Sequence, residues 1–530
     1  MPTHSYLINN GTGAAVRADI NNVLIAIATN NSNTSAPSTT FASQFYANTS
    51  NGNMQIRNTS NNAYIDLFTL AGAPVFPLNG TIGGISIGKG TNSVAGNTAL
   101  GEAALDAAVT GGGNTAIGRN SMTANTSGAL NTAIGDGTLL ANTTGQNNIA
   151  IGQSALAANQ SGNNCIAIGH LALDAGTNVG ENIAIGTSAV SSITSGTFNI
   201  GIGTSSLTAN TTGVQNIAIG LQSMDGCTTV NNCVAVGFQS LSGTSTLGHQ
   251  NTCVGSQSML ANTDGANQVA IGFNSLVANT TGSQNTAVGS IAMDANQTGS
   301  NNVAVGLSAL GGNITGSSNI AVGVNSLALN TGGLQNVALG SNALFNCTAS
   351  NNTAVGNDAL KGVTSGDGNV GLGAFAGDEL TTGAGNTLLG VLAGHKLTTG
   401  GTHTAVGNGA LSTNVSGNFN IAIGTNSLAA STASSNVAMG VNAGIGITSG
   451  QQNICIGTNA GGVVGSTALT TGSNNVIIGD GAISNTTTTS NEIVLGNAAH
   501  TTLRCNTQTI SSLSDVRDKT DIVDSIYGLD

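Results

Sequence analysis

The sequence predicts an all-β fold: a parallel β-solenoid (β-roll) of about 24 coils with a 17-residue period, preceded by a small α+β N-terminal domain. A repeated sequence motif predicts this fold: N-x-A-[IVL]-G, followed by x-x-[SA]-L and a polar turn such as ANTTG. Apolar residues alternate with a period of two before the glycine, which is typical of strands. The closing glycine recurs at an even spacing that is typical of stacked repeats, beginning with Gly101, Gly118, Gly135, Gly152, Gly169, Gly186, Gly203, Gly220 and Gly237.

Each coil has room for two short strands. Positions within a coil are counted from the closing glycine, negative before it and positive after it. Before Gly152, the side chains of Ile149 and Ile151 share one strand face and Ala150 lies on the other. A small side chain lets another backbone come close, either the second wall of the same coil or a neighbouring subunit, and the sequence leaves both open. A second apolar column, which must also be buried, lies at position +4 on the predicted second strand: Leu105, Met122, Leu139, Leu156 and Leu173.

Composition agrees with this fold and disfavours other classes. The chain has 530 residues, 78 glycines, 3% aromatic and 6% charged residues, and a formal charge of -12. The 39% of apolar residues are ordered in columns, which disfavours disorder. Few Lys and Arg disfavour a nucleic-acid partner, whose phosphates need basic groups. A membrane-spanning helix and a secretory signal are not expected, because there is no long apolar run and no basic N-terminal start.

The cysteines and histidines show no metal-ligand spacing, so we expect no cofactor and no metal. The seven cysteines are expected to be small buried residues rather than a disulfide or zinc framework. Four of them replace the small strand residue or the turn Asn at position +7: Cys253, Cys455, Cys227 and Cys347. His395 and His403 are expected at surface corners. The adjacent acids Asp378 and Glu379 are expected at a solvated corner.

Residues 1–76 differ from the repeats and are predicted to form a separate domain. Their apolar residues indicate one helix, with Val16, Ile20, Val23, Leu24 and Ile27 on one face. Three strand-like runs follow, Phe41 to Ala47, Met54 to Asn58 and Ala63 to Phe68, separated by polar turns. The order GAAVRADINNVLIAIATNNS, then SAPSTTFASQFYANTSNGNMQIRNTSNNAYIDL, resembles the N-terminal domain of tail fibres of tailed bacteriophages, cyanophages especially. This resemblance implies attachment to the virion, through a baseplate or tail protein.

Residues 77–96 are predicted to be a connector and residues 97–500 the β-solenoid shaft. The repeats contain no proline, which fits strands paired on both sides. The repeat is similar to the head domain of trimeric autotransporter adhesins, which implies a homotrimer. We expect three chains to pack with their small-residue faces close together. This chain departs from those adhesins because no signal peptide or membrane anchor is recognisable.

Residues 501–530 are predicted to be the distal end and the start of a chaperone motif. The segment SDVRDK from Ser514 to Lys519 resembles the opening of the intramolecular chaperone domain of endosialidase-type tailspikes. This resemblance implies self-cleavage, with Ser514 as the nucleophile and Lys519 as its general base. The family domain is longer than the segment from Ser514 to Asp530, so we expect cleavage only from a longer chain.

The predicted function is therefore a phage tail fibre, a structural and receptor-binding protein that mediates adsorption to a host cell-surface glycan or protein. Its expected location is the virion, after assembly in the host cytoplasm. It is not expected to be an enzyme apart from self-cleavage. The alternatives are a polysaccharide-degrading tailspike and a bacterial surface adhesin. A tailspike would need two carboxylates about 5 to 9.5 Å apart across a groove.

Overall fold

A computed structural model describes residues 45–48, 50, 53–57, 64–69, 79–82, 85–244, 248–462 and 468–499. The predicted N-terminal helix and the SDVRDK motif lie outside these residues. The chain divides into two compact units, Met1–Ala384 and Gly385–Asp530. The domain boundaries expected near residues 76, 96 and 500 stay predictions. Among the described residues, no helix is long and apolar enough to cross a membrane.

The predicted fold class is confirmed, because the units contain a parallel β-solenoid of about 23 turns with a repeat of about 17 residues. The first unit has these strands: β1 Phe45–Asn48, β2 Asn53–Arg57, β3 Tyr64–Thr69, β4 Asn79–Ile82, β5 Ile85–Gly88, β6 Thr98–Leu100, β7 Thr115–Ile117, β8 Thr132–Ile134, β9 Ile149–Ile151, β10 Ile166–Ile168, β11 Ile183–Ile185, β12 Ile200–Ile202, β13 Ile217–Ile219, β14 Val234–Val236, β15 Thr252–Val254, β16 Val269–Ile271, β17 Thr286–Val288, β18 Val303–Val305, β19 Ile320–Val322, β20 Val337–Leu339, β21 Thr353–Val355 and β22 Val370–Leu372. The second unit has these strands: β23 Thr387–Leu389, β24 Thr404–Val406, β25 Ile421–Ile423, β26 Val437–Met439, β27 Ile454–Ile456, β28 Val476–Ile478 and β29 Ile493–Leu495.

The strands pair in two patterns. Strands β1, β2 and β3 form an antiparallel meander and overlap the three strand-like runs predicted from the sequence. Strands β4 and β5 form a hairpin, and β5 pairs antiparallel with β6. From β6 onward, and again within the second unit, successive strands are parallel and in register, as where Ile166 faces Ile183 and Ala167 faces Ala184. Side chains at the same repeat position therefore stack in columns along each unit.

Each coil has one three-residue strand, so the predicted second strand is wrong. The rest of the coil consists of turns. The apolar residue at position +4 has a left-handed backbone conformation, as at Leu156 with a φ of 54°. A left-handed L-residue costs about 1–2 kcal/mol. Complete burial of the Leu156 side chain contributes about 1.5–3 kcal/mol and offsets this. Its N–H still donates to the next coil, to Ala172 O at 2.9 Å. The column is buried as expected, but by turns rather than by strands.

The closing glycine is required by both its conformation and its surroundings. Gly152 has a φ of 124°, which L side chains rarely adopt. A Cβ on Gly152 would also lie 2.6 Å from Gly169 O in the next coil. The even spacing of this glycine thus follows from the close stacking of the coils.

Two columns of buried asparagines hold neighbouring coils together. The strand-start ladder is the column at position −4, where Asn131 N donates to Asn114 Oδ1 at 3.0 Å and Asn131 Nδ2 to Gly145 O at 2.9 Å. The turn ladder is the column at position +7, where Asn142 Nδ2 donates to Asn125 Oδ1 at 2.9 Å. Buried amides cost free energy unless they are bonded. Each coil therefore depends on its neighbours for its polar groups as well as for its apolar core.

Candidate functional site

The small and bulky strand faces have opposite environments. The middle strand residue points into the coil, so Ala270 is fully buried while the next residue, Ile271, is 39% exposed. Where the middle residue is Gly371, a Cβ would lie 2.7 Å from Leu360 Cγ on the opposite wall of the chain. The small face therefore packs against the second wall of the same chain. The expectation that small-residue faces meet between chains is wrong, because these alanine side chains do not reach the surface.

The bulky residues form the outward column, at position −1 after the buried alanine. In the first unit its members are 37–39% exposed at Ile219, Val254, Ile271, Val305, Val322, Leu339 and Val355. Because the strands are parallel and in register, these side chains repeat at the strand spacing of about 4.8 Å. They form a continuous apolar line on the surface.

A second apolar column lies beside it, two residues further along each coil at position +1. We call it the flank column, and its apolar members are 42–52% exposed at Leu221, Phe238, Phe273, Leu307 and Val324. In earlier coils the same position is polar, and Arg119 forms an ion pair with Asp136 at 2.7 Å. The apolar strip, defined as the outward and flank columns over residues 219–324, is thus the broadest part of this surface.

An exposed contiguous apolar surface is typical of an interaction site. The strip presents similar groups on each strand, so a partner that repeats at the spacing of the coils can cover it along its length. Another copy of this chain meets that condition. The strip, rather than the alanine face, is therefore the candidate surface for association.

The cysteines are buried in the coils, as expected. All six within the described residues are buried thiols. Burial raises the pKa of Cys165 and Cys347 to about 11 and that of Cys455 to about 12. These thiols stay protonated at neutral pH and are therefore poor nucleophiles. Sequence reasoning missed that Cys165 and Cys233 replace asparagine in the strand-start ladder, although both lie four residues before the closing glycine.

His403 is not a surface residue, so that expectation is wrong. It is 1% exposed and occupies the strand-start ladder, where His403 N donates to Asn386 Oδ1 at 3.0 Å. Its ring accepts a hydrogen bond at Nδ1 from Asn420 N at 3.2 Å, which leaves Nε2 to donate to Gly417 O at 2.6 Å. Burial lowers the pKa of His403 below its usual value. The ring is therefore neutral and stands in for a ladder amide.

The remaining site predictions have different outcomes. Ser514 and Lys519 lie outside the described residues, so the self-cleavage pair stays a prediction. Glu379 is exposed and Asp378 is half-buried, while His395 is also partly exposed. No group of three or more His, Cys, Asp or Glu within the described part of the chain is placed to hold a metal ion.

No protein-family model matches this chain, and a search of curated proteins finds no relative. The geometry of the solenoid surface is therefore the basis for a functional proposal.

Proposed function

We propose that the chain is a homotrimeric tail fibre of a tailed bacteriophage. Three copies associate through the apolar strip, residues 1–76 attach to a baseplate or tail protein, and the distal part contacts a glycan or protein on the host cell. The observation that carries this proposal is the line of exposed apolar side chains, repeated on successive strands, that remains on one face of the single chain.

The buried chemistry of the coils suits a particle that works outside a cell. The core thiols have raised pKa values, so they resist conversion to the thiolate form that oxidants attack. The ladder amides bond from one coil to the next within the core. Both features favour a stiff shaft that survives in an oxidising environment. The sequence resemblances of residues 9–70 and 514–519 support the assignment to a fibre.

A polysaccharide-degrading tailspike and a bacterial surface adhesin are the competing functions. The tailspike requires paired carboxylates, whereas the repeats have few acids per coil. Incubating the purified protein with host capsule or lipopolysaccharide separates these functions. A fibre leaves the glycan length unchanged, and a tailspike shortens it.

Deletion of residues 1–76 tests the fibre directly. We expect the shortened protein to bind host cells and to be missing from purified virions by mass spectrometry, whereas the full chain is present in them. Normal incorporation together with loss of host binding would reverse the proposed polarity. Absence of the full chain from virions would refute the proposal.

A further inference from the structure

A shallow cleft lies at one corner of three consecutive coils in the first unit. Its volume is about 280 Å³, and the residues that line it include Asn163, Asn164, Asn178, Gly180, Glu181 and Phe198. This volume is at the small end of the range for ligand sites, so we expect it to hold one or two ring-sized groups.

The cleft exists because one coil departs from the repeat. The preceding coil has Asn159 at position +7 and Gly162 at position +10, a pair that recurs in several coils, as at Asn142 and Gly145. In the departing coil the same positions hold Gly176 and Val179. Val179 is fully buried and turns into the space that a side chain at Gly176 would occupy. The segment GTNVGEN therefore has its own corner geometry.

The departure also leaves backbone donors free. In several other coils, a side-chain oxygen at position +11 accepts a hydrogen bond from the N–H of the same position one coil earlier. Gln146 N thus donates to Asn163 Oδ1 at 2.7 Å, and Ser283 N donates to Ser300 Oγ at 3.0 Å. After Asn163, the next residue in this column is Gly180, which has no side chain. Within the described residues, neither the Asn163 N–H nor the Gly180 N–H has a hydrogen-bond partner.

The geometry at Gly180 shows what lies beside the Asn163 N–H. A Cβ on Gly180 would lie 3.5 Å from Asn163 O and 4.0 Å from Asn163 N, which is ordinary contact. Its φ is outside the left-handed region, so a side chain at this position is not strained. The missing side chain would fill the space beside the Asn163 N–H. That space is part of the cleft, and an oxygen atom of a ligand can occupy it.

The other groups of the cleft complete a recognisable chemistry. Phe198 is 54% exposed, and an isolated exposed phenylalanine is common on protein surfaces. Phe198 lines the cleft together with Glu181, whose carboxylate can only accept hydrogen bonds, and Asn164, whose amide both donates and accepts. A flat apolar ring beside mixed donors and acceptors suits a sugar ring, which has an apolar C–H face and a rim of hydroxyl groups.

We propose that this cleft binds a neutral, hydroxyl-rich sugar ring of a glycan. Phe198 stacks on the C–H face, Glu181 accepts a hydroxyl proton, and the free N–H groups of Asn163 and Gly180 donate to hydroxyl oxygens. The Glu181 carboxylate disfavours acidic sugars through like-charge repulsion. The binding itself does not rest on the proposed function. That the glycan comes from a host surface does rest on it, and the cleft would then add a contact along the shaft to the contact made by the distal part.

Titration calorimetry of the full chain with short oligosaccharides of glucose, galactose or mannose tests this site, with oligogalacturonate as the acidic probe. We expect a neutral oligosaccharide to bind more tightly than oligogalacturonate. Phe198→Ala should weaken binding on the order of tenfold. Gly180→Ser should abolish it, because the serine fills the cleft and caps the Asn163 N–H, and hydrogen exchange at that amide should become slower.

Phe419→Ala is the matched control. Phe419 is 63% exposed and lies 18 residues after Gly401, just as Phe198 lies 18 residues after Gly180. Two features of the cleft are absent there. Gly401 N already donates to Asn418 Oδ1 at 2.9 Å, and Thr402 takes the position that Glu181 has in the cleft. This control should leave binding unchanged.

The site is refuted if no neutral oligosaccharide binds, if oligogalacturonate binds more tightly, or if Gly180→Ser binds as the parent does. If the parent binds no sugar and Gly180→Ser no longer binds host cells, the ligand of the cleft is a protein, and the sugar site is also refuted. Presence of the chain in purified virions is scored separately, so failure of the cleft and failure of the fibre assignment are distinguishable.

Discussion

Replacing Asn210 by cysteine is expected to stabilise its coil. Asn210 occupies the turn ladder, but the neighbouring members of that column are Ile193 and Cys227, which break the ladder on both sides. Both side-chain polar atoms of Asn210 are buried without a hydrogen-bond partner. A buried polar group without a partner costs about 1–3 kcal/mol. Removing the amide should therefore raise the free energy of local unfolding by about that amount.

Cysteine is the appropriate replacement because the fold already accepts it at this position. Cys227 N donates to Met224 O and Cys347 N donates to Leu344 O, as Asn210 N donates to Leu207 O, and both cysteines are buried. Cysteine is close to asparagine in volume, so the change creates neither a large cavity nor a clash. The effect of the amide is thereby separated from the effect of packing.

Asn296→Cys is the matched control, since it changes the same ladder position where the ladder is intact. Asn296 Nδ2 donates to Asn279 Oδ1 at 2.8 Å and to Gly299 O at 3.1 Å, and its Oδ1 accepts from Asn313 Nδ2 at 2.6 Å. The substitution leaves buried partners unbonded and should destabilise its coil by about 1–3 kcal/mol.

Native-state hydrogen exchange under reducing conditions measures local opening in each coil. Protection of amides near residue 210 should rise about tenfold for each 1.4 kcal/mol gained, and protection near residue 296 should fall. If Asn210→Cys lowers protection as Asn296→Cys does, the unbonded amide of Asn210 does not destabilise its coil and the reasoning is refuted.

Three further predictions concern other parts of the chain. Burial lowers the pKa of His403, so its imidazole stays neutral in the folded chain. In the unfolded chain the same imidazole takes up a proton below about pH 6.5. The contribution of His403 to the free energy of unfolding should therefore be complete above that pH and decrease below it. The denaturant midpoint of His403→Asn should depend less on pH than that of the parent, and an equal pH dependence in the two proteins contradicts this. Ala218→Phe should lower the free energy of unfolding by about 1–3 kcal/mol or more, because Ala218 is fully buried inside its own coil. Normal stability with lost association would instead place that residue between subunits. When the gene is expressed with its full downstream reading frame, the parent should run as a shortened heat-resistant trimer on gels, and Ser514→Ala and Lys519→Ala should stay at full length. Efficient cleavage of the Lys519→Ala chain would refute the dyad.

Much of the fold was predictable because the repeat makes each physical constraint visible many times. The spacing of the closing glycine indicates the period, and the column at Leu105, Met122 and Leu139 is buried as expected. The second strand was predicted wrongly because apolar periodicity indicates burial but not backbone conformation. The left-handed φ at Leu156 follows from the need to close a short coil, which no single side chain reveals.

The candidate surface was less predictable. The alternation at Ile149, Ala150 and Ile151 separates two strand faces, but the pattern does not show which face is buried in the coil and which faces outward. Only the position of the second wall of the chain decides that Ala150 is inside. The prediction for His403 is wrong because a histidine is usually exposed, whereas position −4 of the coil is buried. The cleft at Gly180 depends on hydrogen bonds between coils, which follow from register in three dimensions.

The native mass of the full chain tests most directly whether copies associate through the apolar strip. We predict a particle of three times the chain mass of 51.5 kDa. The double variant Val254→Lys and Ile271→Lys should have the mass of a single folded chain, because it places charges on the strip. The control Leu130→Lys, at a residue that is 62% exposed on another part of the coil, should leave the trimer intact. A single-chain parent, or a double variant that stays trimeric, would contradict association through the strip.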